Sequence, residues 1–228
     1  SGTIDLESID ESDADRALAL WINSPGNPTG AMETRESLAA IATWGRERSV
    51  PVFSDECYIE FAWGDERPSI LDTGSLGVVA VHSLSKRSNL AGVRVGFYAG
   101  DASLVDYLSE VRKHAGLMVP GPAQAAAVAA LGDQAHVVAQ RERYRSRLER
   151  LSSLFGAMGL DAPLPEGGFY LWIAAPGGDA WALTERLARE LGVVVSPGEF
   201  YGDAATGHVR VAVVQPDERI ELIVRRAG

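Results

Sequence analysis

Lys86 stands in the string HSLSKRSNLAGVRVGF at 82–97, three residues after Ser83, next to Ser85 and eight before Arg94. A lysine amine can attack a carbonyl carbon and, once released, can carry a proton. Asp55, in SDECY at 54–58, follows an apolar run, where a carboxylate needs a charged or hydrogen-bonded partner to offset lost solvation. Arg94, and Arg210 in HVRVA at 208–212, carry guanidinium groups able to grip phosphate or carboxylate through paired hydrogen bonds. Asn27 in SPGNPTG at 24–30 and the phenol of Tyr58 add neutral donors. Each also has an ordinary structural use: a surface lysine, a strand-end cap, an arginine paired on the surface, serines and an asparagine in turns, a packed tyrosine ring. Cys57 reads as packing because no histidine is placed beside it, and His82, His114, His136 and His208 lack metal-ligand spacing, so no metal is expected.

The elements that must position these groups follow from the apolar pattern. Residues 17–23 (ALALWIN) form a nearly continuous apolar run ending in the SPGNPTG turn, as expected of a buried parallel strand. A helix over 35–48 with Leu38, Ile41 and Trp44 on one side precedes a short strand at 50–54 that stops at Asp55. Further strands are expected at 78–81, ending just before His82-Ser83-Leu84-Ser85-Lys86, and at 93–99. In open α/β sheets ligands bind outside the carboxyl ends of the strands, so Asn27, Asp55 and Lys86 are expected to converge there.

After Lys113 the character changes. The stretch GPAQAAAVAAL favours helix, and Val137, Tyr144, Leu148, Leu151, Phe155 and Met158 mark a long amphipathic helix. Its Arg141, Arg143, Arg145, Arg147 and Arg150 alternate with Glu142 and Glu149, which reads as a solvated face rather than an anion site. Strands at 168–174, 193–196 and 208–214 around a helix at 180–191 complete a smaller α+β unit. The fold class is therefore α/β, in two units: 1–120, part of a large, mostly parallel α/β/α sheet domain, and 121–228, an interdomain helix with a small C-terminal α+β domain.

Composition narrows the possible partners. The 228 residues are 46% hydrophobic and 23% charged, the profile of a globular protein. Twenty-one basic against 31 acidic residues leave a formal charge of -10, which repels nucleic acid and anionic membranes. One cysteine excludes an internal disulfide and a multi-cysteine zinc site and suggests a cytoplasmic protein. The opening Ser1-Gly2-Thr3-Ile4-Asp5 lacks the basic flank and apolar stretch of a signal peptide, and the absent initiator methionine suggests a processed or partial chain.

Six strings in order, SPGNPTG, SDECY, HSLSKRSNLAGVRVGF, EGGFYLW at 166–172, PGEFYG at 197–202 and HVRVA, resemble the pyridoxal-phosphate-dependent aminotransferases of class I/II, fold type I. The resemblance implies that Lys86 is the catalytic residue: it forms a Schiff base with pyridoxal 5'-phosphate and, when freed, shuttles the proton between substrate and cofactor. It implies that Asp55 pairs with the protonated pyridine nitrogen, that Tyr58 and Asn27 hydrogen-bond the phenolic oxygen, and that Ser83, Arg94 and Ser85 hold the phosphate. Arg210 and Asn27 would bind the substrate, Arg210 through its α-carboxylate, and the Asn27-Pro28 bond is expected to be cis.

The family implies amino-acid and 2-oxo-acid substrates and a homodimer, with neither nucleic acid nor membrane as partner. Family members also carry a phosphate-cradling helix start and a ring-stacking aromatic that are not visible here, so the chain resembles the C-terminal part of such an enzyme and would leave one face of the large sheet uncovered. Within the family, SDECYIEF, SLSKRSNLAG, VPGPAQAAAVAALGD and EGGFYLW look like the succinyldiaminopimelate aminotransferases, which implies transfer between glutamate and N-succinyl-2-amino-6-oxopimelate in lysine biosynthesis. Two other readings stay open: another fold type I enzyme such as a β-lyase, and a non-catalytic fragment or effector module.

Overall fold

The computed structural model describes residues 2–228. Strands β1 (Leu20–Asn23), β2 (Val52–Asp55), β3 (Val78–Ser83) and β4 (Gly96–Gly100) form one sheet in that order, with β1, β2 and β3 parallel and β4 antiparallel to β3. A second, antiparallel sheet is ordered β5 (Tyr170–Ala174), β7 (His208–Ala212), β6 (Ser196–Pro197). The helices are α1 (Glu11–Ala14), α2 (Arg35–Arg48), α3 (Leu84–Arg87), α4 (Ala102–His114), α5 (Gly121–Gly132), α6 (Ala135–Ala157), α7 (Ala180–Leu191) and α8 (Asp217–Ala227). None is long and apolar enough to cross a membrane.

The first sheet's parallel strands are short apolar runs because both faces are meant to be covered. One face is: Ile22, Val52, Val78 and Ala80 pack against Leu38, Ile41 and Ala42 of α2, whose entry is capped by the Thr34 hydroxyl. On the other face Trp21 stacks on Phe53 at 4.7 Å yet keeps 61% of its surface exposed. The second core lies between α6, α7, α8 and the second sheet, and it reaches back to take in Tyr58 and Phe61 from the loop after β2.

Three sequence expectations are corrected. The strand expected at 93–99 begins only at Gly96, because Arg94 sits at φ 57°, a left-handed backbone that no strand accommodates. The strand expected at 193–196 shrinks to Ser196–Pro197. The arginine face of α6 is not uniformly solvated: Arg147 is buried and bonds Asp217 of α8, while Arg141 donates to the Glu60 carbonyl and lies 5.0 Å over the Trp63 ring. Helices α4 and α8 have no counterpart in the expectations.

Candidate active site

The carboxyl ends of β1, β2 and β3 are held level by their register, with Asn23 opposite Asp55 and Asp55 opposite Val81. Each strand therefore releases its chain into a loop at the same edge, and the chemistry-bearing residues follow at once. Asn23 organises the first loop, its Nδ2 donating to the Asp55 carbonyl at 2.9 Å and its Oδ1 accepting from the Asn27 backbone at 2.9 Å. Sequence reasoning gave Asn23 no task; its position four residues before Asn27 is the only signal.

Both Ser24-Pro25 and Asn27-Pro28 are cis, the second as expected. The turn then closes onto the loop before β5: the Gly167 N–H donates to the Gly30 carbonyl at 2.8 Å, and the Met32 N–H to Glu166 Oε2 at 2.8 Å. A Cβ on Gly30 would stand 2.4 Å from Pro165 Cβ, and one on Gly167 would stand 2.6 Å from Pro25, so the two glycines permit the contact that brings the sheets together.

After β2, Asp55 is half-buried and its Oδ1 accepts from the Cys57 N–H at 3.1 Å, which leaves Oδ2 without a hydrogen bond among the described residues. Glu56, on the opposite side of the chain, is 1% exposed and accepts from Ser69 Oγ and the Ile70 N–H, both at 2.8 Å, anchoring the following loop. Burial, then the nearby Asp55 carboxylate, pushes the Cys57 thiol far up, so it stays protonated and packs as a small apolar group. Tyr58 is buried, and burial first, then its bond to Tyr170, holds its hydroxyl in the protonated, donor-competent form.

After β3, Ser83 caps α3 by accepting from the Ser85 N–H at 3.2 Å, and the helix carries Lys86 with its Nζ 5.9 Å from the centre of the Tyr58 ring. Among the described residues Lys86 has neither a hydrogen bond nor an ion pair. Lys86, Ser85, Tyr170 and Arg210 line one cavity of about 610 Å³. Arg94 is not among them: it is exposed, donates to the Ala91 carbonyl at 3.0 Å, and lines a separate cavity with His82 and Phe97.

Arg210 projects from β7 over two aromatic rings, with its guanidinium carbon 4.2 Å from the Tyr170 centroid and 5.1 Å from that of Tyr201. Its Nη1 donates to Asn27 Oδ1 at 2.7 Å, whereas its buried Nε has no partner among the described residues. Because Oδ1 serves the guanidinium, the Asn27 amide presents its Nδ2 as the outward donor. Tyr170, whose hydroxyl lies 2.8 Å from that of Tyr58, joins the two halves of the site. Sequence reasoning held Tyr170 and Tyr201 within motifs, EGGFYLW and PGEFYG, without a role for either.

The model of the family described as aminotransferase class I and II matches residues 1–226. The chain belongs to the class I and II aminotransferases. This family is pyridoxal-phosphate dependent and takes amino-acid and keto-acid substrates. Similar aminotransferases include the 4-dedimethylamino-4-oxo-anhydrotetracycline transaminase of Streptomyces rimosus, 45% identical over 97% of this chain and 62% of that protein. An LL-diaminopimelate aminotransferase of Syntrophobacter fumaroxidans is 36% identical over 97% of this chain and 58% of its own length. The aspartate aminotransferase structure from Thermotoga maritima superposes with a TM-score of 0.87 at 29% identity, covering 98% of this chain and 59% of that one. The chain thus spans about three fifths of the length of these aminotransferases.

The open valences suit the family's cofactor: an amine without a partner on Lys86, a carboxylate oxygen without a partner on Asp55, a protonated phenol on Tyr58 and an amide donor on Asn27.

Proposed function

We propose that the intact protein is a pyridoxal-phosphate-dependent aminotransferase moving an amino group between glutamate and a keto acid. The observation that carries this reading is the shared cavity of Lys86 and Arg210, an unengaged amine facing the same space as a guanidinium with an unsatisfied Nε. When bound, pyridoxal phosphate supplies an electron sink for the α-carbon carbanion. Lys86 would hold it covalently and, once displaced, move the proton at the substrate's α carbon. Asp55 would pair with the pyridine nitrogen and keep it protonated, while Asn27 and Tyr58 donate to the phenolic oxygen.

Ser83, Ser85 and Arg94 would serve the phosphate, with Arg94 turning its exposed guanidinium away from the Ala91 carbonyl to do so. Arg210 would take the substrate α-carboxylate, pre-set by Asn27 and the two rings beneath it, and so fix which bond at the α carbon reacts. The working unit is a cytoplasmic homodimer.

The substrate reading is N-succinyl-2-amino-6-oxopimelate, supported by the resemblance of SDECYIEF, SLSKRSNLAG and EGGFYLW to succinyldiaminopimelate aminotransferases. Relatives named for LL-diaminopimelate support the diaminopimelate class and make the free diamine the rival substrate. Borohydride reduction after loading with pyridoxal phosphate, followed by peptide mass, should find a single adduct on Lys86; labelling spread over other lysines would refute the site. Turnover with 2-oxoglutarate should then be faster for N-succinyl-LL-diaminopimelate than for LL-diaminopimelate, and the reverse order would reassign the substrate. Pyruvate and ammonia released from a cysteine conjugate without a keto-acid acceptor would instead mark a β-lyase.

A further inference from the structure

Tyr170 touches both halves of the site. Its ring lies under the Arg210 guanidinium at 4.2 Å, and its hydroxyl is 2.8 Å from that of Tyr58. It is 5% exposed, and the two tyrosine rings meet edge to face at 5.7 Å, so neither can swing away without opening the core.

A phenol donates one hydrogen and accepts through its lone pairs, so the bond between these two can run in either direction. In the unliganded site either hydroxyl can be the donor. When an anionic oxygen arrives beside Tyr58, its single hydrogen is drawn to that charge, because a charge-assisted bond is roughly twice as strong as a neutral one. The oxygen of Tyr58 is then free to accept, and Tyr170 needs only to rotate its hydroxyl, not its ring, to donate to it. The positive charge over its ring draws electron density from its oxygen and makes Tyr170 the better donor.

On the aminotransferase reading, we propose that Tyr170 is a positioning residue that donates its hydrogen bond to Tyr58 when cofactor binds, supporting the donation from Tyr58 to the phenolic oxygen and linking it to the ion pairing of Arg210. A carboxylate captured by Arg210 would offset that charge and weaken the support.

The test is spectroscopic. In the cofactor-loaded protein the visible band titrates with pH, and its midpoint reports how well the phenolic oxygen is stabilised. Tyr170→Phe keeps the ring under Arg210 and removes the hydroxyl. The midpoint should rise by about 0.5 pH unit as Tyr58 loses its cooperative support. The affinity of maleate, a non-reacting carboxylate probe for Arg210, should stay within about twofold, whereas Tyr170→Leu should lose about fivefold with the ring. Maleate should move the midpoint less in Tyr170→Phe than in the wild type. A midpoint unchanged or lowered in Tyr170→Phe would overturn the proposal while leaving the aminotransferase reading intact. A maleate loss in Tyr170→Phe equal to that of Tyr170→Leu would reduce Tyr170 to packing. A wild-type protein without any visible band would defeat both readings at once.

Discussion

Arg210 Nη1 donates to Asn27 Oδ1 at 2.7 Å, joining residues 183 positions apart, one on the second sheet and one on the loop leaving the first. The bond fixes the guanidinium plane and the amide orientation together, since a guanidinium only donates and must face the amide oxygen. Removing either partner should therefore disturb the other.

Asn27→Ala is expected to lower carboxylate affinity by about tenfold, in line with the ~1.5 kcal/mol of a hydrogen bond to a charged group. Arg210→Lys should lose at least as much, because an ammonium cannot offer paired donors to a carboxylate while also reaching Asn27. Inhibition by maleate measures both; wild-type affinity in either variant would separate the pair from substrate binding.

Lys86 contributes nothing visible to the hydrogen-bond or ion-pair framework of the described residues. Lys86→Ala should accordingly leave the thermal midpoint within about 2 °C of the wild type while abolishing the borohydride-fixed adduct. An adduct that persists in the variant would show that another lysine carries the cofactor.

Gly30 sits at φ 73° with the space for a Cβ already filled by Pro165 and the Gly167 carbonyl. Gly30→Ala should destabilise the protein by roughly 2 kcal/mol or more, from backbone strain plus overpacking. Denaturant titration checks this, and because the same contact seats Asn27 near Arg210, carboxylate affinity should fall with it.

Asp217 is held below its ordinary value of 3.8, first by its hydrogen bond with Arg147. A depressed carboxylate stabilises the fold above its unfolded value, and the contribution fades as pH falls through the still lower folded value. Asp217→Asn should therefore be less stable than the wild type at pH 6, and the gap should shrink as pH falls below 3.8 and close once the folded carboxylate is protonated. Melting curves across that range decide it; a gap independent of pH would mean that the charge of Asp217 contributes nothing.

Much of this arrangement is legible along the chain. β1, β2 and β3 are apolar runs that stop at turn-forming or polar strings, and such strings place Asn27, Asp55 and Lys86 at one sheet edge without any knowledge of the packing. The long helix α6 is equally readable, because Val137, Tyr144, Leu148, Leu151 and Phe155 recur on one face and are the apolar residues it buries. Charge on that helix misleads: Arg147 looks like its solvated neighbours and is buried only because Asp217, 70 positions later, comes to meet it. Arg94 misleads in another way, since nothing in VRVGF announces a left-handed residue.

The sequence by itself determined the residue types that meet at the strand ends, the family and therefore the class of chemistry, because local patterning and motif order survive without coordinates. Only the tertiary structure decided that Asn27 holds Arg210, that Tyr170 spans Arg210 and Tyr58, and that Lys86 and Arg210 share a cavity which Arg94 does not line. Those relationships depend on how two sheets seat against each other through Gly30 and Gly167. Contacts between residues more than a hundred positions apart are set by packing in three dimensions, for which no local pattern is a proxy.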